Sequence, residues 1–182
     1  MALDMFAVLF GGAIALLPVF AKDILFVGSE GLGILRSAPS FGALVMAYFL
    51  TKKPPLQKSG KILLLSVFGF GLCMFVFGLS KVFWLSLIAL FLSGLLDRVS
   101  VVVRSTIMQT MTPEDMRGRV SSINKIFIGS SNEIGAFESG LTAKLMGPVG
   151  SVLVGAFMTL LIVGLSYRFA PKLKNLELKD HL

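Results

Sequence analysis

The residues most able to do chemistry in this chain are ionisable side chains set in otherwise greasy surroundings. They are Arg36, the Asp97–Arg98 pair with Arg104, and Lys125, Glu133 and Glu138, with Asn132 beside them. At the centre of a membrane helix a charge costs about 2.5–3.5 kcal/mol, while each Leu, Ile, Phe or Val returns only about 0.3–0.6. The stretch Val120–Ala143 carries Lys125, Glu133, Glu138 and Asn132 against few strongly apolar residues. Facing lipid all round, it would be unfavourable by about several kcal/mol. Such groups must turn towards other helices or towards water. Two outcomes follow: static ion-pair locks between helices, or an aqueous path lined by proton-exchanging carboxylates and anion-holding guanidinium groups.

Spacing favours the path. Asp97 and Arg104 are seven residues apart, nearly on one helical face. Lys125, Asn132 and Ser139 repeat the same interval, and Ser131 and Glu138 form an adjacent stripe. Two polar seams on one helix suit a cavity wall better than a single buried pair. No catalytic constellation competes. There is no metal-ligand spacing, no serine elbow and no phosphate-cradling loop, so neither an enzyme nor a metal or cofactor is expected. "GSEGLG" (Gly28–Gly33) follows a greasy run, not a strand, and reads as a turn joining helices. Cys73 has no second cysteine to pair with, and His181 lies in a polar tail.

The elements that must position these groups are membrane helices. Of the 182 residues, 55% are hydrophobic and 15% charged, and mean hydropathy is +0.86. Soluble domains hold about 25% charged residues, and a soluble fold of this size could not hide so much apolar surface. A window of about 19 residues gives six spans: 2–21, 31–50, 62–79, 82–103, 120–143 and 148–167. About 20 helical residues cover the hydrocarbon layer, and the short connections make neighbours antiparallel. The whole is an all-α membrane domain over 1–170, followed by a polar tail, 171–182. The lipid-like pattern begins at Ala2 without a polar lead, which leads to the expectation of a chain cut from something longer.

The net charge of +7 is a topology signal and not a nucleic-acid footprint. Lys52, Lys53, Lys58 and Lys61, then Arg117 and Arg119, then Arg168, Lys172, Lys174 and Lys179 fall on one side, against Lys22, Lys81 and Lys144 on the other. By the positive-inside rule the first side and both termini are cytoplasmic. Spans three and six carry no charge, so they can form the lipid-facing periphery. A period of three helices fits a transporter half built from two three-helix repeats. Pro18 and Pro39 should kink their helices. Gly129, Ser130, Ser131, Gly135, Ser139 and Gly140 should permit close helix packing.

"RSTIMQTMTPEDMRGRVSSIN" (Arg104–Asn124) reads as a helix start, with Thr112 at the N-cap, Pro113 at N1 and an acid at N3. Gly118, between Arg117 and Arg119, should let backbone pass close. This stretch, together with "LDMFAVLFGGAIALLPVFAKDIL", "EGLGILRSAPSFGAL", "VFGFGLCMFVFGLS" and "SNEIGAFESGLTAKLMGPV", resembles the major facilitator superfamily, in its drug- and siderophore-exporter-like branch. The resemblance covers Leu3 to about Tyr167 and matches the C-terminal half, helices seven to twelve. The N-terminal six-helix half is absent. Arg98 stands where the pattern has an uncharged residue, and "KKPPLQKSG" replaces a simpler basic loop.

The resemblance implies secondary active transport by alternating access, with proton-coupled export of a small molecule. In that frame Asp97, Glu133 and Glu138 are the proton-carrier candidates. Arg36, Arg104, Lys125, Asn132 and Ser139 are cavity residues or charge partners. Thr112, Pro113, Arg117, Gly118 and Arg119 form a cytoplasmic loop latch. The partners are the lipid bilayer, the missing half, the substrate and protons. The expected location is a bacterial plasma membrane. The rival function is a non-transporting six-span scaffold or assembly subunit, in which the same charges only lock helices.

Overall fold

A computed structural model describes residues 13–52 and 59–169. Asp4, Lys53, Lys58, the tail lysines Lys172, Lys174 and Lys179, and His181 lie outside these, as does most of the first expected span. Every element among the described residues is helical. Helix α1, Ala13–Val19, contains Pro18 and passes into a π-helical turn, Phe20–Ile24. A proline ring in a helix obstructs the preceding turn, and the π-helical turn begins two residues after Pro18. The Leu25 and Val27 amides donate to the Phe20 and Ala21 carbonyls at 2.8 and 3.0 Å, and Phe26 and Gly28 take positive φ of 52° and 66°. That left-handed pair reverses the chain.

Helix α2 runs from Gly28 to Lys52. The glycine-rich stretch expected as a turn is therefore the opening of a helix, and only Gly28 acts as turn residue. Helix α3, Ser59–Leu79, and helix α4, Phe83–Met111, are joined by three residues. Ser80 pins that turn. Its hydroxyl donates to the Val82 carbonyl at 3.0 Å and accepts from the Ser86 hydroxyl at 3.0 Å. Helix α4 continues beyond the expected end at Val103, which sets Arg104 inside the helix. A 3-10 turn, Glu114–Met116, leads into helix α5, Arg117–Phe169.

α5 is broken at Gly147, where φ is 80° and ψ 162°. This conformation is essentially open only to glycine. It divides α5 into arms 117–146 and 148–169, which fold back on each other. The Ser151 hydroxyl reaches the Ser139 carbonyl at 3.0 Å and the Thr142 hydroxyl at 2.7 Å. α2, α3, α4 and α5 are each long and apolar enough to cross a membrane.

α4 is the central helix, packed against α2 on one side and α3 on the other. The core has two parts. In the larger, Leu17 and Phe20 meet Leu35, Phe77, Leu90 and Ala156, and the Phe20 and Phe77 rings stack at 4.7 Å. In the smaller, Leu63, Leu64 and Val67 of α3 meet Val99 and Val103 of α4 and Val163 of α5. α3 turns one stripe inward. The other, Leu65, Phe68, Leu72, Val76 and Leu79, is open and apolar beyond Lys61 in the first turn, as a lipid-facing stripe must be at hydrocarbon depth. Sequential contact of α3 with the second arm is set by small residues: a Cβ on Gly71 or Gly78 would press on Leu160 or Val152.

Candidate functional site

The polar residues converge through the crossing of α2 and α4. A Cβ on Gly42 would collide with the Phe91 carbonyl oxygen, and one on Gly94 with the Pro39 carbonyl oxygen. Small residues at both places let the two backbones touch. Below this crossing α4 carries Ser93, Asp97, Ser100 and Arg104 on one face, spaced four, three and four residues apart.

That face lines a cavity of about 240 Å³, to which every described α-helix contributes. Ile14 comes from α1, Pro39 from α2, Ser66, Phe70 and Met74 from α3, and Ile128 and Asn132 from α5. Ser66, Ser93 and Ser100 are buried. The Ser66 and Ser93 hydroxyls donate to their own helix, at the Ile62 and Leu90 carbonyls (2.8 and 2.7 Å). Their oxygens keep lone pairs that can accept from a guest. Asp97 is exposed at the cavity wall and Arg104 half-buried. A carboxylate and a guanidinium two turns apart, with hydroxyls between them and apolar rings opposite, can hold a small molecule bearing polar groups. The carboxylate can also take up and release a proton.

Three of the expected residues, Asp97, Arg104 and Asn132, are thus brought together. The others are not among the cavity lining. Arg36 on α2 and Lys125 and Glu133 on α5 are exposed outside it, and Glu138 is half-buried. Ser139 differs most from expectation. Although it lies seven residues from Asn132, it is 5% exposed and packed in the bend of α5, its carbonyl accepting from Ser151. Gly129 and Gly140, expected at close helix contacts, have open space where a side chain would stand, and Ser130 is exposed. Of that set Ser131 and Gly135 are buried, on the stripe that also holds Ser139.

The serines of α4 add a signal that is present in the residue order. Ser86, Ser93 and Ser100 recur every seven residues and are all buried, a polar stripe that continues the Asp97–Arg104 face.

At the α4–α5 connection the capping expectation is corrected. Thr112 does not cap the following helix. It closes α4, in extended conformation (φ −103°, ψ 126°), and its hydroxyl donates back to the Met108 carbonyl at 2.6 Å. Pro113 precedes the 3-10 turn and has no side-chain cap to give. Arg117 folds over the connection, donating from Nε to the Thr112 carbonyl at 3.2 Å and meeting Glu114 Oε1 at 3.4 Å. Gly118 has open space around its missing side chain, so it permits no close approach. Arg119 is exposed. Arg117, Gly118 and Thr112 line a second, polar cavity of about 320 Å³ with Gln109 and Ser121.

A family model described as transmembrane secretion effector matches residues 3–181. Among curated proteins, the chain is 36% identical over 134 residues to the enterobactin exporter EntS of Citrobacter koseri, covering 74% of this chain and 32% of the relative. It is 33% identical over 149 residues to the enterobactin exporter EntS of Shigella boydii serotype 18, covering 82% of this chain and 35% of the relative. With the Escherichia coli O81 protein of the same name, identity is 35% over 133 residues, 73% of this chain and 32% of the relative. The chain thus spans about a third of the length of the relatives it matches. No solved structure matches it.

Proposed function

We propose, from the premise that this chain belongs to the transmembrane secretion effector family of the major facilitator superfamily, that it forms the C-terminal half of a small-molecule exporter working by alternating access. The observation that carries this is the cavity in which Asp97, Arg104 and Asn132 meet, walled by all five described helices. A half-transporter supplies one wall of a mid-membrane site, and the other half supplies the second. The exposed polar faces of α2 and α5, with Arg36, Lys125 and Glu133 on them, fit contact with that other half better than contact with acyl chains. The domain spans 1–170 with the tail beyond it, and both ends are cytoplasmic by the lysine and arginine distribution.

Asp97 is the first proton carrier. It shares the cavity with substrate, so loading one and releasing the other can be linked. Glu133 and Glu138 are carboxylates that could relay the proton towards the second half. Arg104 offsets negative charge in the cargo, and Arg36 and Lys125 are its counterparts at the open face. Ser139 supports the site by holding the bend of α5. Thr112, Pro113, Arg117, Gly118 and Arg119 act as a latch: Arg117 ties the end of α4 to the start of α5, and releasing it frees the two helices to move.

The test is transport by the chain assembled with a six-helix N-terminal half in proteoliposomes under an imposed proton gradient. Enterobactin, the cargo named for the relatives, is the first probe. Wild type should show saturable, gradient-dependent flux, and Asp97→Asn should lose the gradient dependence. Saturable flux from the monomeric chain alone would overturn the half-transporter reading. Unchanged gradient dependence in Asp97→Asn would remove Asp97 from the proton path.

A further inference from the structure

A further cavity among the described residues has no part in the site above. It is a groove of about 560 Å³ between α3 and the second arm of α5, lined by Lys61, Leu64, Leu65, Phe68, Val163, Gly164 and Tyr167. Its size is that of sites which bury most of a small ligand. We propose that this groove is a binding site for one anionic glycerophospholipid, with an acyl chain along the groove and the phosphate at Lys61.

The groove follows from helical spacing. Lys61, Leu64, Leu65 and Phe68 stand at i, i+3, i+4 and i+7 on one face of α3. Opposite them Val163, Gly164 and Tyr167 lie on one face of α5. The floor is open because Gly164 has nothing within 4 Å of where a side chain would be. Every wall between Lys61 and the deep end is hydrocarbon, which excludes a polar solute and suits a chain of methylenes.

The two ends of the groove are unlike. Lys61 lies within the first turn of α3, and Tyr167, beside Arg168, near the end of α5. Both cations are exposed. Tyrosine and lysine at a helix end mark the headgroup level of a bilayer. A groove that is greasy along its length and positive at its mouth is complementary to a lipid with a negative headgroup. It is less so to a zwitterionic one, whose own ammonium competes with Lys61. Lipid binding in this groove requires only that these helices span a bilayer, and it is independent of transport.

The test uses the full chain, solubilised with equal amounts of phosphatidylglycerol and phosphatidylethanolamine, and counts retained lipids by native mass spectrometry. Wild type should retain phosphatidylglycerol preferentially. One basic residue near an anionic headgroup is worth about a five-fold preference, so Lys61→Gln should lose that factor and Lys61→Arg should keep it. Gly164→Leu, which fills the floor, should lower retention of both lipids. Lys81→Gln, at the opposite end of α3, should change neither. Equal retention of the two lipids by wild type, a preference unchanged in Lys61→Gln, or retention unchanged in Gly164→Leu would overturn the proposal and leave the groove as ordinary lipid-facing surface.

Discussion

Gly94 of α4 lies against the backbone of Pro39 in α2, so that a methyl group on Gly94 would collide with the Pro39 carbonyl oxygen. One turn away Gly42 meets the Phe91 carbonyl in the reverse sense. The pair fixes how closely two walls of the Asp97 cavity approach. Gly94→Ala and Gly42→Ala must each push the helices apart, and overpacking of this kind costs about 1–3 kcal/mol. Reversible unfolding in mixed micelles should show both losses. Gly129→Ala, in open space, should show none. A Gly94→Ala protein as stable as wild type would mean the crossing is not as tight as described.

The bend at Gly147 makes a second demand. Its φ of 80° and ψ of 162° are closed to residues with a side chain, and forcing one there costs on the order of 1–3 kcal/mol. Gly147→Ala should therefore destabilise the helix pair although nothing lies within 4 Å of the added methyl. The same substitution at Gly118, which also has room but lies in a helix, should be neutral or slightly stabilising, since alanine favours helix by about 1 kcal/mol. The contrast separates a backbone requirement from a packing one.

Asn132 and Ser139 share a helical stripe but not an environment. Asn132 borders the cavity, and Ser139 is buried at the bend with Ser151. A cysteine at Asn132 should react with a membrane-impermeant thiol reagent at a rate well above that of a cysteine at Ser139. Equal protection of both would favour a dry scaffold over a transport path. Native Cys73 is partly buried in α3, and replacing it by Ala gives the clean background.

At the α4–α5 connection two contacts should differ in worth. The Arg117–Glu114 pair is long, at 3.4 Å, and exposed, and exposed pairs contribute about 0–1 kcal/mol. Glu114→Gln should leave stability nearly unchanged. Thr112→Val removes the hydroxyl that satisfies the Met108 carbonyl at 2.6 Å, a bond worth about 0.5–1.5 kcal/mol. Hydrogen exchange over the last turn of α4 should rise for Thr112→Val and not for Glu114→Gln.

Much of this was readable from residue order because a bilayer imposes a blunt rule. Apolar runs of about 20 residues must be helices, which is why α3 could be bounded before its packing was known. The Asp97–Arg104 interval likewise predicted a shared face. Sequence periodicity says which side chains share a stripe, but not what that stripe meets. Asn132 and Ser139 show the limit: the bend at Gly147 folds Ser151 onto one and leaves the other at the cavity. Thr112 shows another. A threonine before Pro-Glu-Asp fits a helix start, yet the same hydroxyl can turn back to the helix behind it, and here it does.

The hinge at Gly147 also bears on how the chain is made. Arm 148–169 has no charge before Arg168, whereas arm 117–146 carries Lys125, Glu133 and Glu138. The polar arm leaves the ribosome first and cannot remain in the bilayer comfortably alone. Held as a hairpin, it can enter with the greasy arm, whose favourable partitioning offsets its charges. On this hypothesis a nascent chain halted at Met146 should leave arm 117–146 unintegrated, detectable by a glycosylation tag, while extension to Phe169 restores integration. Full integration of the shorter chain would refute it.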